Sequence, residues 1–265
     1  MQVQPGYIEV VRVSDPFPGL RRVTFKGERL RSFPASCAAG HIKLFFPTRP
    51  GAVPQLPHRD AKGNKVWPNE RPITRTYSVR AFDVTRRQLD VDFVLHDAPG
   101  PASDWARTAS LGHIIGIAGP AVPPVLAEAK PWNLFVGDLS ALPMISALVE
   151  VLPADSAATV LVEVPMAQPV TFDNQCVVSV SQRRGDRGER LLEMVQQVDW
   201  PPKGTPYRVC VAAESRVTVA IRKYLEQHIQ LPRSAMYTVP YWKHAATEEE
   251  YHQERHAQMD AMGYQ

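Results

Sequence analysis

The hydrophobic pattern of this chain changes character at one place. Between Gly119 and Pro131 the run Gly-Pro-Ala-Val-Pro-Pro-Val-Leu-Ala-Glu-Ala-Lys-Pro, with four prolines in 13 residues, interrupts any regular element, so a domain boundary is expected there. Before it, short alternating runs separated by Pro and Gly clusters read as strands over Tyr7–Val13, Arg21–Phe25, His41–Phe46, Arg75–Phe82, Leu89–Leu95 and His113–Ala118. In Leu89-Asp90-Val91-Asp92-Phe93-Val94-Leu95 the alternation gives one wet and one buried face. Six such strands predict a small antiparallel barrel. Pro47–Pro72, with Lys62, Lys65 and Trp67, has no periodic pattern and reads as a solvated excursion between two barrel strands. After the boundary, strands over Trp132–Val136, Thr159–Val164, Cys176–Val180, Tyr207–Ala213 and Ala235–Trp242 alternate with helices over Ser140–Leu152, Gly188–Val198 and Ser215–Ile229. That alternation predicts a parallel sheet covered on both faces. Thr247-Glu248-Glu249-Glu250 is a capping-box start for a polar C-terminal helix ending near Gly263. The expected fold class is α+β, two-domain: a six-stranded antiparallel β-barrel, an α/β parallel-sheet domain and a C-terminal helix.

Composition removes several classes of function. A length of 265 residues with 44% apolar content is enough for two cores. The net charge of +3 is small and the basic residues are scattered among acidic ones, so no nucleic-acid partner is expected. No stretch approaches the ~20 apolar residues of a membrane helix. Met1 to Tyr7 has neither the basic cluster nor the apolar run of a secretory signal, which predicts a cytoplasmic protein with no membrane partner. Cys37, Cys176 and Cys210 are isolated and form no C-x-x-C pair, so neither a disulfide framework nor a zinc or iron–sulfur site is signalled. Redox chemistry would then require a bound organic cofactor. His252 and His256, four apart on the expected tail helix, have no third ligand nearby and read as solvated; no metal site is expected.

Two segments carry the strongest chemistry. Arg75-Thr76-Tyr77-Ser78 places a positive charge, a phenol and a hydroxyl on one strand, a set that can grip a flat ring with an attached phosphate. Downstream, Gly100-Pro101-Ala102-Ser103 opens a helix whose small residues let backbone approach an anion, with Ser103 expected to cap it. Together they predict a flavin site.

The ordered set of motifs resembles the siderophore-interacting protein family, FAD-dependent ferric-siderophore reductases of the ferredoxin–NADP reductase superfamily. The matching pieces are His41 to Pro47, Arg75 to Ser78, Asp92 to His96, Gly100 to Ser103 with Trp105-Ala106, Gly119-Pro120, Val136 to Asp138 with Ala141 to Pro143, Ala213-Glu214 and Tyr241-Trp242. The resemblance implies an FAD-binding barrel over 1–122, an NAD(P)H-binding domain over 131–243 and an extension over 244–265. Arg75 is then expected on a flavin phosphate, Tyr77 on the isoalloxazine and Ser78 at its polar edge. Thr76 reaches the ribityl chain or fills the barrel. Asp92, Val94, His96, Gly100, Ala102, Ser103 and Trp105 complete the cofactor set, the Gly-Pro turn favouring the pyrophosphate of FAD over FMN. Asp138, Ser140, Ala141 and Glu214 are expected on the cofactor side of the second domain, either at a nicotinamide nucleotide or at the flavin. Arg183, Arg184 and Arg187 are placed for an NADP phosphate or as a solvated cluster.

On the same resemblance, Lys43 with Lys243 and His244 forms a basic pocket for an anionic ferric siderophore. Ala121-Val122 stand where many relatives carry a basic residue after Gly-Pro, which shifts that load to the C-terminal residues. The flavin carries electron transfer, so no protein side chain is expected to be catalytic. Electrons come from NADH, NADPH or a reduced ferredoxin, and reduction of Fe(III) to Fe(II) weakens binding by hard oxygen ligands. The alternatives are a general flavin or ferredoxin–NADP-type reductase and a non-catalytic siderophore-binding flavoprotein. A monomer is expected.

Overall fold

The computed structural model describes residues 4–96, 100–121, 132–166, 168–172, 176–182, 189–202, 204–244, 246 and 251. The chain divides into two compact units, Met1–Pro124 and Val125–Gln265.

In the first unit the elements are β1 (Gly6–Phe17), β2 (Leu20–Lys26), β3 (His41–Phe46), β4 (His58–Arg59), β5 (Lys65–Val66), β6 (Ile73–Ser78), β7 (Ala81–Asp83), β8 (Gln88–Val94), α1 (Pro101–Thr108) and β9 (Ile114–Ala118). Seven strands form one antiparallel sheet in the order β6-β3-β9-β1-β2-β8-β7. The single strand expected over Arg75–Phe82 is two. At its middle, Val79 N donates to Gly40 O (2.8 Å) and Arg80 N to Asp90 O (2.9 Å). The backbone thus leaves the β3 ladder and joins β8, so one continuous stretch touches both ends of the sheet order and brings them together. A segment that closes a sheet on itself must change partners, and this is why seven strands appear where six were expected.

Alternation along β8 sends Leu89, Val91 and Phe93 into the interior with Ile8, Phe25, Ile42 and Leu44. Asp90 and Asp92 take the other face, where Arg12 and Arg22 meet them. Trp105 on α1 packs against Phe46 (5.3 Å between ring centroids) and Phe93 (5.7 Å), pinning that helix to the barrel. Each such ring pair adds ~1 kcal/mol beyond the area it buries.

The excursion between β3 and β6 is ordered where a solvated loop was expected. Tyr7 Oη donates to Pro54 O (3.1 Å). Leu56 lies so close over Gly116 that a Cβ there would stand 2.2 Å from its Cδ2. Beyond it β4 pairs with β5 as a hairpin. Its turn is closed by Asp60, whose Oδ1 accepts from Lys62 N (2.9 Å) and Asn64 N (2.8 Å), and by Gly63 at φ 82°, a left-handed conformation that favours glycine.

The second unit holds β10 (Trp132–Asp138), α2 (Leu142–Glu150), β11 (Ala158–Val164), β12 (Cys176–Gln182), α3 (Glu189–Gln196), β13 (Tyr207–Glu214), α4 (Ser215–Tyr224) and β14 (Met236–Trp242). Its sheet is parallel throughout, in the order β12-β11-β10-β13-β14. Leu134, Val136, Val209 and Val211 pack on one face against Leu191, Val195, Val217 and Ile221 of α3 and α4. At Gly137 a Cβ would stand 2.5 Å from Ala141 Cβ and 2.9 Å from Ala212 O, so glycine there lets the start of α2 press on the sheet. The expected C-terminal helix, His252, His256, Arg183, Arg184 and Arg187 lie outside the described residues, apart from the buried, helical Tyr251.

Candidate functional site

The register of β3 with β6 sorts the Arg75–Ser78 motif onto two faces. Tyr77 pairs with Ile42 and Arg75 with Leu44, both core residues, whereas Thr76 pairs with Lys43 and Ser78 with His41. Thr76 therefore stands on the Lys43 face and does not fill the barrel, because period-two alternation gives the interior to its neighbours. Tyr77 is half-buried with its ring 4.5 Å from that of Phe93. Arg75 Nη1 donates to Thr74 O (2.9 Å), which holds the guanidinium close to its own strand.

Phe93 touches both Tyr77 and Trp105, so the motif strand and α1 belong to one aromatic cluster. The cap expected from Ser103 is not made. Gly100 is the N-cap and has no side chain to give, while Asp104 Oδ2 accepts from Gly100 N (3.2 Å). Ser103 lies inside the first turn, buried, its hydroxyl accepting from His96 N at 3.4 Å. The first helical bond runs from Asp104 N to Gly100 O (2.8 Å), which leaves the amides of Ala102 and Ser103 ahead of it as donors for an anion. A guanidinium on the motif strand, a half-buried phenol packed on Phe93, and uncapped amides at the start of α1 are groups that fit the phosphates and ring of FAD.

Other expected cofactor residues serve the barrel itself. Asp92 is buried and held by Arg22 through two bonds of 2.6 and 2.8 Å, a bidentate pair across adjacent strands. Val94, half-buried, ends β8 opposite Leu20, and Trp105 is a core anchor. His96 O accepts from Arg107 Nη2 (2.6 Å).

Beside the motif lies a pocket of about 560 Å³, lined on one side by His41, Lys43 and Phe45 of β3 and on the other by Arg59 and Lys65 of the hairpin. Lys65 Nζ stands 3.8 Å above the Trp67 ring. Burial, with the charges of Lys43, Arg59 and Arg71, pushes the Lys65 ammonium below its ordinary range. Sequence reasoning left Lys65 in a solvated excursion and did not single out Arg59. The signal was Asp60-Ala61-Lys62-Gly63-Asn64, a turn with basic residues on both sides.

In the second unit the expected residues meet at the carboxyl ends of β10 and β13, where the strand order reverses. Asp138 Oδ1 accepts from Ser140 N (2.9 Å) and Ser140 Oγ (2.5 Å), and its Oδ2 from Trp242 Nε1 (2.7 Å) and Glu214 N (3.2 Å). Glu214 is the N-cap of α4, taking Arg216 N at 2.6 Å and His244 N at 3.2 Å. Ser140, read as facing a ligand, is turned back onto Asp138, and buried Ala141 serves the close approach at Gly137. Lys243 extends its ammonium to 6.0 Å from the Tyr251 ring.

Burial pushes the Cys37 thiol up to about 11 and the Cys210 thiol to about 12, so neither supplies a thiolate at neutral pH. Among the described residues no three His, Cys, Asp or Glu side chains are grouped to hold a metal, and no helix is long and apolar enough to cross a membrane.

Known proteins share this architecture along its whole length. Residues 9–124 match the siderophore-interacting FAD-binding domain and residues 130–245 the siderophore-interacting protein model. Ferric vibriobactin reductase ViuB of Vibrio cholerae is 36% identical over 264 residues, covering 98% of this chain and 97% of that protein. The NADPH-dependent ferric-chelate reductase of Escherichia coli is 33% identical over 193 residues, 72% of this chain and 73% of its own. The crystal structure of the siderophore-interacting protein SipS from Aeromonas hydrophila superposes with a TM-score of 0.81 at 31% identity, over 97% of this chain and 98% of that one. With an FAD-binding barrel and a parallel α/β unit joined in this order, the chain belongs to the siderophore-interacting protein family.

Proposed function

We infer that this protein is an FAD-dependent ferric-siderophore reductase, reducing siderophore-bound Fe(III) to Fe(II) and so loosening the metal from its oxygen ligands. The observation that carries the reading is the β3–β6 register: Thr76 and Ser78 of the flavin strand stand opposite Lys43 and His41, which line the cationic pocket. An anionic iron complex held there would meet the Thr76 and Ser78 face of the strand whose other face carries Arg75 and Tyr77. FAD, when bound, supplies the conversion between a two-electron hydride donor and a one-electron iron acceptor. Arg75 and the α1 amides anchor the phosphates, Tyr77 backs the ring on Phe93, and Lys43 draws the substrate's charge toward the strand.

NADH, NADPH and reduced ferredoxin are the donors this reading admits. NADPH is the first to test, since one relative is named for its dependence on it. Buried thiols with no partner in sequence suit a reducing cytoplasm. The test is anaerobic turnover of FAD-loaded protein on a ferric siderophore, with a ferrous-specific chromogenic chelator as trap. Ferrous complex should accumulate with at least one donor, two irons per NAD(P)H consumed. No ferrous iron with any donor, despite bound FAD and bound siderophore, would leave a binding protein and overturn the reductase.

A further inference from the structure

Where β1 and β9 stop pairing, two main-chain carbonyls are left facing one guanidinium. The ladder between these strands runs from Glu9↔Ile114 to Gly6↔Ile117. Next in line is Pro5, which has no amide to give. Beyond it a side chain joins the two segments instead: Arg29 Nε donates to Gln4 O (2.9 Å) and Arg29 Nη2 to Gly119 O (2.7 Å). Arg22 turns the same edge of its guanidinium to the Asp92 carboxylate; here that edge serves two acceptors that cannot bond to each other. Arg29 is firmly based for this. It belongs to a short 3-10 turn, Glu28–Ser32, whose Leu30 is buried in the barrel core together with Phe33 just after it. Its stem lies against Gly6, where a Cβ would stand 2.8 Å from Arg29 Cβ, and its guanidinium is 5.2 Å from the centre of the Phe33 ring. Nη1 donates to Ser32 Oγ. Among the described residues no carboxylate pairs with it, and burial pushes the guanidinium below its ordinary range, so these oxygen contacts are what offset the cost of holding the charge. Gly119 is fixed from the other direction as well. Ala121 N donates to His41 O (2.8 Å), and a Cβ on Gly119 would stand 3.2 Å from the same carbonyl. Gln4, Pro5, Gly119, Pro120 and Ala121, none with a charged side chain, form one wall of the pocket beside β3.

We propose that Arg29 is a positioning residue for the iron acceptor: by bridging Gln4 O and Gly119 O it fixes the main-chain wall against which a ferric complex seats. That wall is irregular chain past the end of its ladder, so the fork of Arg29 and the Ala121–His41 bond set its distance from β3. Arg29 acts without touching the ligand, since each of its three nitrogens already donates to a protein oxygen. Its loss should therefore weaken any complex seated there, whatever the charge of that complex. The proposal rests on the ferric-siderophore reading and adds to it a residue that shapes the site rather than one that attracts the ligand.

The experiment compares full-length FAD-loaded wild type with Arg29→Ala and with Arg29→Lys, which keeps the charge and the stem but not the fork. The probes are the ferric complexes of a synthetic tris-catecholate and of a neutral trihydroxamate, titrated by tryptophan fluorescence across a series of ionic strengths. Whichever complex the wild type binds should bind both variants about tenfold more weakly with the wild-type salt dependence, since two charge-assisted bonds to the wall are lost but no contact to ligand charge. FAD content and the midpoint potential of the flavin should not move. Methylguanidinium at matched ionic strength should restore the affinity of Arg29→Ala and leave the wild type unaffected. In hydrogen exchange the Ala121 amide should lose protection in both variants, while the amides of β3 keep theirs. Unchanged affinity in both variants overturns the proposal. A shallower salt dependence in Arg29→Ala, with Arg29→Lys binding like wild type, would make Arg29 a direct charge contact and overturn it equally, and loss of FAD from both variants would make it a support of the barrel. If the wild type binds neither complex, the ferric-siderophore reading fails, whereas protection at Ala121 still decides whether Arg29 holds the wall.

Discussion

The β3–β6 face of the first unit and the carboxyl edge of β10 and β13 in the second carry similar polar residues and use them in opposite ways. In the second unit, Asp138 is saturated by Ser140, Glu214 and Trp242, and Glu214 by Arg216 and His244. Those carboxylates organise the ends of two strands and the starts of two helices. In the first unit, the charges of Lys43 and Lys65 converge on a pocket, and the nearby acids are turned to other work. A satisfied buried charge is scaffold, because its electrostatic need is met from within the chain. Converging like charges disfavour one another, and a bound anion relieves that cost.

The largest test of this contrast strikes the scaffold. Gly137→Val should destabilise the second unit by about 3 kcal/mol, since its Cβ meets a buried Cβ and a backbone carbonyl that cannot yield. Urea unfolding followed at the second-unit tryptophans is the measurement, and wild-type stability would dissolve the close β10–α2 approach. Next, Asp138→Asn should cost about 2 kcal/mol, because an amide nitrogen replaces an oxygen that accepts from Ser140 or from Trp242 and Glu214. Should thermal stability survive while nicotinamide affinity collapses, Asp138 belongs to a ligand and the contrast breaks. On the other side, Arg75→Gln should weaken FAD binding about tenfold through loss of a charge-assisted phosphate contact. The apo-protein should keep its stability within about 0.5 kcal/mol; a comparable loss of stability would make Arg75 scaffold too. The smallest effect concerns the thiols, one deeply buried in each unit. Cys37 and Cys210, with thiols pushed up to about 11 and about 12, should resist alkylation at pH 8 in the folded protein, as intact mass would show. Rapid labelling of either would reveal an opening that neither core permits.

How legible each feature was depended on whether its cause is local. The strands over His41–Phe46 and Leu89–Leu95 were readable because a buried face imposes period-two alternation on the residues themselves. The break at Val79 and Arg80 was not, since the whole stretch keeps strand-like composition and the change is one of partner. Asp92 and Asp138 looked like ligand groups in one dimension. Arg22 and Trp242, far away in sequence, claim them in three. Arg59 and Lys65 sat in a segment with no period to read, although the Asp60 to Asn64 turn was visible.

The amino-acid sequence by itself determined the two-part architecture, the position of the break between its parts, and the Arg75 to Ser78 motif with its Gly100 turn. Each of these follows from spacing, alternation or turn chemistry within a few residues. Tertiary structure alone decided which charges are met by a distant side chain and which line a pocket, because both are properties of packing. Hence Asp138 became scaffold, while two cations from an unpatterned excursion joined Lys43 at the pocket.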